Sequence, residues 1–348
     1  MKKLFTLLLA ASLLLVSCGA PKDGSLPRKK ASAKMEKAFA EYIAATQEAE
    51  EDIHSVMVLQ HGKVLAETWM SEGAPDKPHV LFSVSKTFTS TAVGFAISEG
   101  LLKLDDKVVS FFPDKLPEEV SGNLAAMTVR DLLTMTCGHD TEPRMSRTDP
   151  DSDWVKTFLE WPVTHVPGSY FVYNSYGTFM LSAIITQLTG QAVVDYLQPR
   201  LFDPLGIEHP RWDAHQGVNF GGWGLYLKTE DMAKMGQCIL DGGKFAGKQV
   251  IPADWVKQMT TRQVDSVPAG MRPEAAAGNG LTVENSDWVQ GYCYQMWRCR
   301  HNAVRADGAS GQYIIVIPDK DAVVVVTASL NDMQKEINLI WDHIYPAL

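Results

Sequence analysis

Between Ala33 and Glu50 the apolar residues Met35, Phe39, Tyr42 and Ile43 share one helical face, so the folded part is expected to begin with an amphipathic helix. The period then changes. Val56-Met57-Val58-Leu59-Gln60 and Lys63 to Trp69 read as two strands joined by a tight turn at His61-Gly62. From Ser83 to Glu99 the spacing of Val84, Phe88, Ala92 and Phe95 is helical again, with Gly100 placed as the C-terminal cap. Short helical pieces and turn breakers fill about 101 to 215. There, Thr128-Val129-Arg130-Asp131 signals a helix start before Leu132 and Leu133, and Tyr176 to Thr189 is an apolar helix closed by Gly190. Thr229 is expected to cap a helix reaching about Leu240, and Pro252 suits a first helical position. The C-terminal third returns to strands at Tyr292 to Arg300, Ala303 to Asp307, Tyr313 to Pro318 and Ala322 to Ala328, with a turn at Pro318-Asp319-Lys320-Asp321. Asp332 to His343 is a last amphipathic helix.

Strands at both ends with helices between them predict an α+β fold, an antiparallel sheet flanked by helices. Residues 35–100 and about 285–348 would form the α/β part of one domain over 35–348, and about 101–284 a mostly helical insertion. The 348 residues, 45% hydrophobic and 21% charged, match a globular enzyme with a core large enough to need no disulfide or metal. A formal net charge of −9 argues against nucleic acid as a partner, since phosphate backbones demand a basic face.

Residues 1–17 read as a targeting segment. Lys2 and Lys3 form a charged start, and Leu4 to Val16 is an apolar run too short to span a bilayer comfortably. Leu15-Val16-Ser17-Cys18 resembles the bacterial lipoprotein box, which makes Cys18 the lipidation site; the alternative is an ordinary signal peptide with a chance cysteine. Residues 18–34 then read as a polar tether. The expectation is an exported bacterial lipoprotein, periplasmic or anchored at the outer membrane or surface, that meets the membrane through its lipid alone.

Four further cysteines, Cys137, Cys238, Cys293 and Cys299, form no Cys-x-x-Cys pair and read as buried structural residues. Cys293 and Cys299 would lie roughly 20 Å apart along one expected strand, too far to bridge. A disulfide between distant positions stays open.

Ser83-Val84-Ser85-Lys86 carries the candidate chemistry. A serine hydroxyl is a poor nucleophile until a base takes its proton. On a helix, residues three apart share a face, so Lys86 Nζ would reach Ser83 Oγ, beside the free N–H groups of the helix start. No Gly-x-Ser-x-Gly elbow, His-Glu-x-x-His pair or phosphate-binding glycine loop competes, and the nine histidines are scattered.

Read with Ser83-x-x-Lys86, several later segments resemble the serine β-lactamase-like hydrolases, in the branch of class C β-lactamases, D-alanyl-D-alanine peptidases and related esterases. They are Thr128-Val129-Arg130-Asp131-Leu132-Leu133-Thr134-Met135-Thr136, Pro167-Gly168-Ser169-Tyr170-Phe171-Val172-Tyr173, Leu201-Phe202-Asp203-Pro204-Leu205-Gly206-Ile207 and Gly308-Ala309-Ser310-Gly311-Gln312. The likeness covers roughly residues 53 to 330. It implies Ser83 as nucleophile and Lys86 as its partner. The Tyr-x-Asn motif of this branch reads Tyr173-Asn174-Ser175, which makes Tyr173 the third catalytic residue and places Asn174 and Ser175 at the substrate. A lysine ammonium beside Tyr173 is expected to lower the phenol's pKa. A turn-side core aromatic is the alternative for Tyr173.

The third motif, usually Lys-Thr-Gly or His-x-Gly, reads Ala306-Asp307-Gly308. Gly308 allows a substrate to approach the strand, and the backbone N–H groups of Ser83 and Ala309 would form the oxyanion hole whatever the side chains are. Asp307 would repel a carboxylate unless Arg305, Arg298 or Arg300 compensates; those arginines can equally be a solvated strand face. Trp223 and Tyr226 either border the pocket or pack in the core.

The resemblance implies a serine hydrolase that cleaves an ester or amide, D-amino-acid-containing or peptide-like substrates included, through an acyl-serine intermediate, with no metal and no organic cofactor. A D-alanyl-D-alanine peptidase, penicillin-binding or β-lactamase activity, and a non-catalytic ligand-binding surface lipoprotein, are the alternatives.

Overall fold

The computed structural model describes residues 24–348, so the expected signal segment and Cys18 lie outside the described residues. The first helix, α1 (Ala33–Glu48), starts where Ser32 Oγ accepts the Met35 N–H at 3.1 Å. It buries Met35, Phe39 and Tyr42, as their spacing predicts. Strands β1 (Asp52–Gln60) and β2 (Lys63–Trp69) form the expected hairpin. His61 (φ +52°) and Gly62 (φ +69°) are both left-handed, the geometry of a two-residue turn that follows strand twist.

Four C-terminal strands complete one antiparallel sheet: β3 (Trp297–Arg298), β4 (Val304–Gly308), β5 (Gln312–Ile317) and β6 (Ala322–Ser329), in the order β3-β4-β5-β6-β1-β2. Side chains alternate across it. Tyr313, Ile315, Val324, Val326, Val56 and Val58 join the cluster that contains Phe39, Tyr42, Ile337 and Ile340. Ile314, Val316, Val323, Val325, Met57 and Leu59 pack into the larger core with Phe88, Met232 and Met235. Coverage of both faces explains why these strands are apolar at nearly every position.

The remaining helices used below are α2 (Ser85–Ser98), α3 (Val129–Leu133), α4 (Ser175–Thr189), α5 (Thr229–Leu240) and α6 (Met333–Leu339). The start of α3 is a reciprocal capping box between Thr128 and Asp131, and Gly190 ends α4 at φ +70°. Lys228, not Thr229, is the cap of α5, and Pro252 is a cap residue rather than a first helical one.

Two expectations need larger correction. Tyr292 to Arg300 is not one strand: Gln295 takes φ +65°, Cys293 N–H donates to Met296 O at 2.8 Å, and only Trp297–Arg298 pairs as β3. The four described cysteines are all free and buried, as expected, with no disulfide among them. The polar tether also ends early. Leu26 is buried, and Arg28 pairs with Glu67 on β2 (3.0 Å) and Glu230 on α5 (2.7 Å), clamping this segment to the body.

Candidate active site

Ser83 lies in a 3-10 turn, Phe82–Val84, that leads directly into α2. Phe82 has φ +45°, a conformation costly for a bulky side chain, roughly 1–3 kcal/mol. Ser85 braces the bend: its hydroxyl donates to Phe82 O at 2.6 Å and accepts the Leu225 N–H at 3.2 Å. At the start of a helix the Ser83 N–H has no intrahelical acceptor.

Lys86 sits one turn further on and is 1% exposed. Its Nζ contacts Ser83 Oγ (2.9 Å), Ser175 Oγ (3.1 Å) and Gly222 O (2.8 Å): the ammonium donates to all three, and the neutral amine can serve Ser175 and Gly222 with its two N–H groups and turn its lone pair to Ser83. Burial lowers its pKa to about 7, against the opposing pull of the Glu142 and Asp307 carboxylates. The ammonium also lies 4.8 Å from the centroid of the Tyr173 ring.

Tyr173 is where expected but not in the expected electrostatic state. Its ring stacks on Trp297 at 5.4 Å and meets Tyr292 edge-on at 6.2 Å. Burial among these aromatics raises the phenol's pKa, and Asp307 and Glu142 raise it further. A hydrogen bond with Ser83 and the charge of Arg305 oppose this without reversing it. The expected lowering by Lys86 is therefore overturned: desolvation outweighs the neighbouring cation, and Tyr173 keeps its proton.

Asn174 and Ser175 separate at the start of α4. Asn174 is the helix cap, with Oδ1 accepting the Gly177 N–H at 2.9 Å and Nδ2 donating to His139 Nδ1 at 3.0 Å. It is buried, so the expected substrate contact is replaced by a structural role. Ser175 instead turns its hydroxyl to Lys86, while its N–H donates to Glu142 Oε1 at 2.5 Å. Glu142 was not anticipated. It comes from the segment between 138 and 166, whose sequence shows no periodicity or motif to mark it.

On the other side stands β4. A Cβ at Gly308 would fall 2.4 Å from Leu81 O, so only glycine lets the strand approach the Ser83 turn this closely. Gly311 N–H holds Gly308 O at 3.2 Å, which fixes the plane of the Gly308–Ala309 peptide and hence the direction of the Ala309 N–H. Asp307 Oδ2 accepts from Arg305 Nε at 2.8 Å. Arg305 is fully buried, 4.4 Å from the Trp288 ring centroid and 5.6 Å from that of Trp297. Arg300 pairs with Asp287, and Arg298 with Asn302, so of the three candidate arginines Arg305 compensates Asp307.

Trp223 follows Gly222, the residue whose carbonyl receives Lys86, and Arg147 lies over its ring at 4.7 Å. Tyr226 is instead held by Arg211, 3.5 Å above its ring, and by Asp213. A cavity of about 760 Å³ lined by Val256, Lys257, Arg262 and Arg298 includes none of Ser83, Lys86 and Tyr173.

The family model described as Beta-lactamase matches residues 43–344. A 6-aminohexanoate-dimer hydrolase from Paenarthrobacter ureafaciens is 29% identical over 295 residues, 79% of this chain and 72% of that protein. A β-lactamase of Escherichia coli K12 is 22% identical across 80% of this chain and 84% of its own length. Among solved structures, a penicillin-binding protein homologue from Caulobacter crescentus superposes with a TM-score of 0.70 at 14% identity, covering 92% of this chain and 99% of that one. That likeness bears on the fold alone.

Proposed function

This chain belongs to the Beta-lactamase family and is a serine hydrolase acting on amides or esters, and from that premise we propose that Ser83 is its nucleophile, Lys86 the base and Tyr173 the proton donor. The observation that carries the reading is the 2.9 Å contact from Lys86 Nζ to Ser83 Oγ, made by a lysine whose burial brings it to about 7. A lysine with its ordinary value would be protonated at neutral pH and unable to accept a proton. Here the neutral amine takes the Ser83 proton as Oγ bonds to the substrate carbonyl. The Ser83 and Ala309 N–H groups receive the developing oxyanion. Tyr173, which stays protonated, donates to the departing alcohol or amine and is reprotonated from Lys86. Water then releases the acyl group by the reverse path.

The altered third motif disfavours substrates that depend on carboxylate recognition, so slow β-lactam turnover is part of the proposal. Ser83→Ala is expected to abolish hydrolysis and labelling by a fluorophosphonate while the protein stays folded. Full hydrolytic activity in that variant overturns the assignment. Labelling by a fluorescent penicillin as well as by the fluorophosphonate would favour a D-alanyl-D-alanine peptidase, and labelling by neither a binding protein.

Export and lipid anchoring through Cys18 belong to the same proposal, supported by Lys2, Lys3, the apolar run and Leu15-Val16-Ser17-Cys18. Incorporation of labelled palmitate that disappears in Cys18→Ala is the expected result; a Cys18→Ala protein that still incorporates it refutes the anchor.

A further inference from the structure

Asp307 is unused by the acyl-transfer chemistry, yet it directly precedes Gly308, where the strand lies against the turn that carries Ser83. Alternation along β4 sends Ala306 into the core with Phe88 and puts Asp307 on the opposite face. Of its two carboxylate oxygens, Oδ2 is taken by Arg305, while Oδ1 has no hydrogen-bond partner among the described residues and is not sealed off, the residue being 9% exposed. Arg305 cannot come forward to meet a substrate anion. It is fully buried, with Nη1 donating to Asp287 O (2.7 Å) and Cys299 Sγ (3.1 Å), and so serves as a fixed support behind the carboxylate.

The surroundings suit a cation. Glu142 accepts the N–H of Ser175, whose hydroxyl meets Lys86, and Asp307 adjoins Gly308 where the strand lies against the Ser83 turn, so two carboxylates approach Ser83 from different segments. Tyr173 and Trp297 stack on each other at 5.4 Å, with Lys86 over the first ring and Arg305 over the second, so the carboxylate oxygen rather than a ring face is the open contact. Arg305 offsets the charge of Asp307 but leaves Oδ1 unpartnered, so an ammonium would find a preformed acceptor there and a carboxylate no donor.

We propose that Asp307 receives an ammonium group of the substrate, so that this hydrolase selects esters or amides carrying a free amine near the scissile carbonyl. The proposal rests on the acyl-serine reading above and adds the substrate class to it. It makes Asp307 a specificity residue, supported by Arg305 as a positioning residue.

The test uses three p-nitrophenyl esters of equal chain length, ending in a free amine, an N-acetylated amine or a carboxylate. The wild type is expected to favour the free amine over the N-acetyl ester by about tenfold or more in kcat/KM, mainly through KM, and to treat the carboxylate ester worst. Asp307→Asn should bring the amine-to-N-acetyl ratio close to one, and Asp307→Glu should retain part of it. A merely structural role would lower both rates together and leave the ratio unmoved. Independently of any variant, hexylammonium should compete with the N-acetyl ester on the wild-type protein while hexanoate at the same concentration does not. Equal rates on the amine and N-acetyl esters, a carboxylate preference, or an undiminished ratio in Asp307→Asn overturns the proposal. Ser83-dependent hydrolysis of the N-acetyl ester reports on the acyl-serine reading separately, so the two can fail apart.

Discussion

Hydrolysis is expected to rise about tenfold in kcat/KM between pH 6 and pH 8, because Lys86 must lose its proton before it can take one from Ser83. With a pKa of about 7, roughly a tenth of Lys86 is neutral at pH 6 and nine-tenths at pH 8. The fall from 10.5 to about 7 corresponds to roughly 5 kcal/mol by which burial disfavours charging. That energy also makes stability depend on pH. Between about 7 and 10.5 the unfolded chain holds the Lys86 proton and the native chain does not, so native stability rises with pH; below about 7 both states are protonated and the cost of burying the charge is fully present. Buried thiols such as Cys238 and Cys293, raised from 9.0 to about 12, reverse the trend above pH 9, because the unfolded state then loses protons that the native state keeps. Urea unfolding should therefore show Lys86 contributing about 2 kcal/mol between pH 7 and 9. Glu142→Gln removes a carboxylate that favours the charged lysine, so the activity midpoint should move to lower pH. A kcat/KM profile that is flat from pH 5.5 to 8, or a midpoint that moves upward in Glu142→Gln, would refute the role given to Lys86.

Gly308→Ala places a methyl 2.4 Å from Leu81 O, a backbone atom that cannot rotate away, so strand and nucleophile turn must part. It should lower kcat/KM by about a hundredfold with the circular dichroism spectrum preserved, consistent with loss of an oxyanion donor. Asn174→Ala removes the cap of α4 and the partner of His139, and is expected to cost about 1–2 kcal/mol in chemical denaturation; an unchanged midpoint would mean the cap is dispensable.

Where local chemistry decides the structure, the sequence was readable. The His61-Gly62 turn, the Thr128–Asp131 capping box and the approach of Lys86 to Ser83 each follow from residues a few positions apart. Gln295 shows the opposite case. Its left-handed conformation, which breaks the expected strand, is held by Thr178 Oγ1 donating to its side chain and by its own amide donating to Leu132 O and Leu133 O, all more than a hundred residues away. Tyr173 was located through its motif, but its protonation depends on Trp297, Tyr292 and two distant carboxylates. Asn174 and Ser175 are adjacent in the motif, and only the helix that begins between them separates a cap from a site residue. Glu142 lies on a segment whose course is set by the fold rather than by its own pattern.

The sheet order carries a consequence for how this molecule comes into being. Strand β1 lies between β2 and β6, with Val56 opposite Val326, so the N-terminal hairpin must wait for residues near the end of the chain before its other edge is paired. Pairings this distant are slow to form, because a long loop must close before any contact rewards it. Ser83 and Lys86 emerge early in synthesis, but Gly308 and Ala309, which complete their surroundings, emerge late. With the roles proposed for Ser83 and Ala309, a nascent or unfolded chain carries the serine without its oxyanion pocket, and hydrolytic competence is expected only with the closing strands.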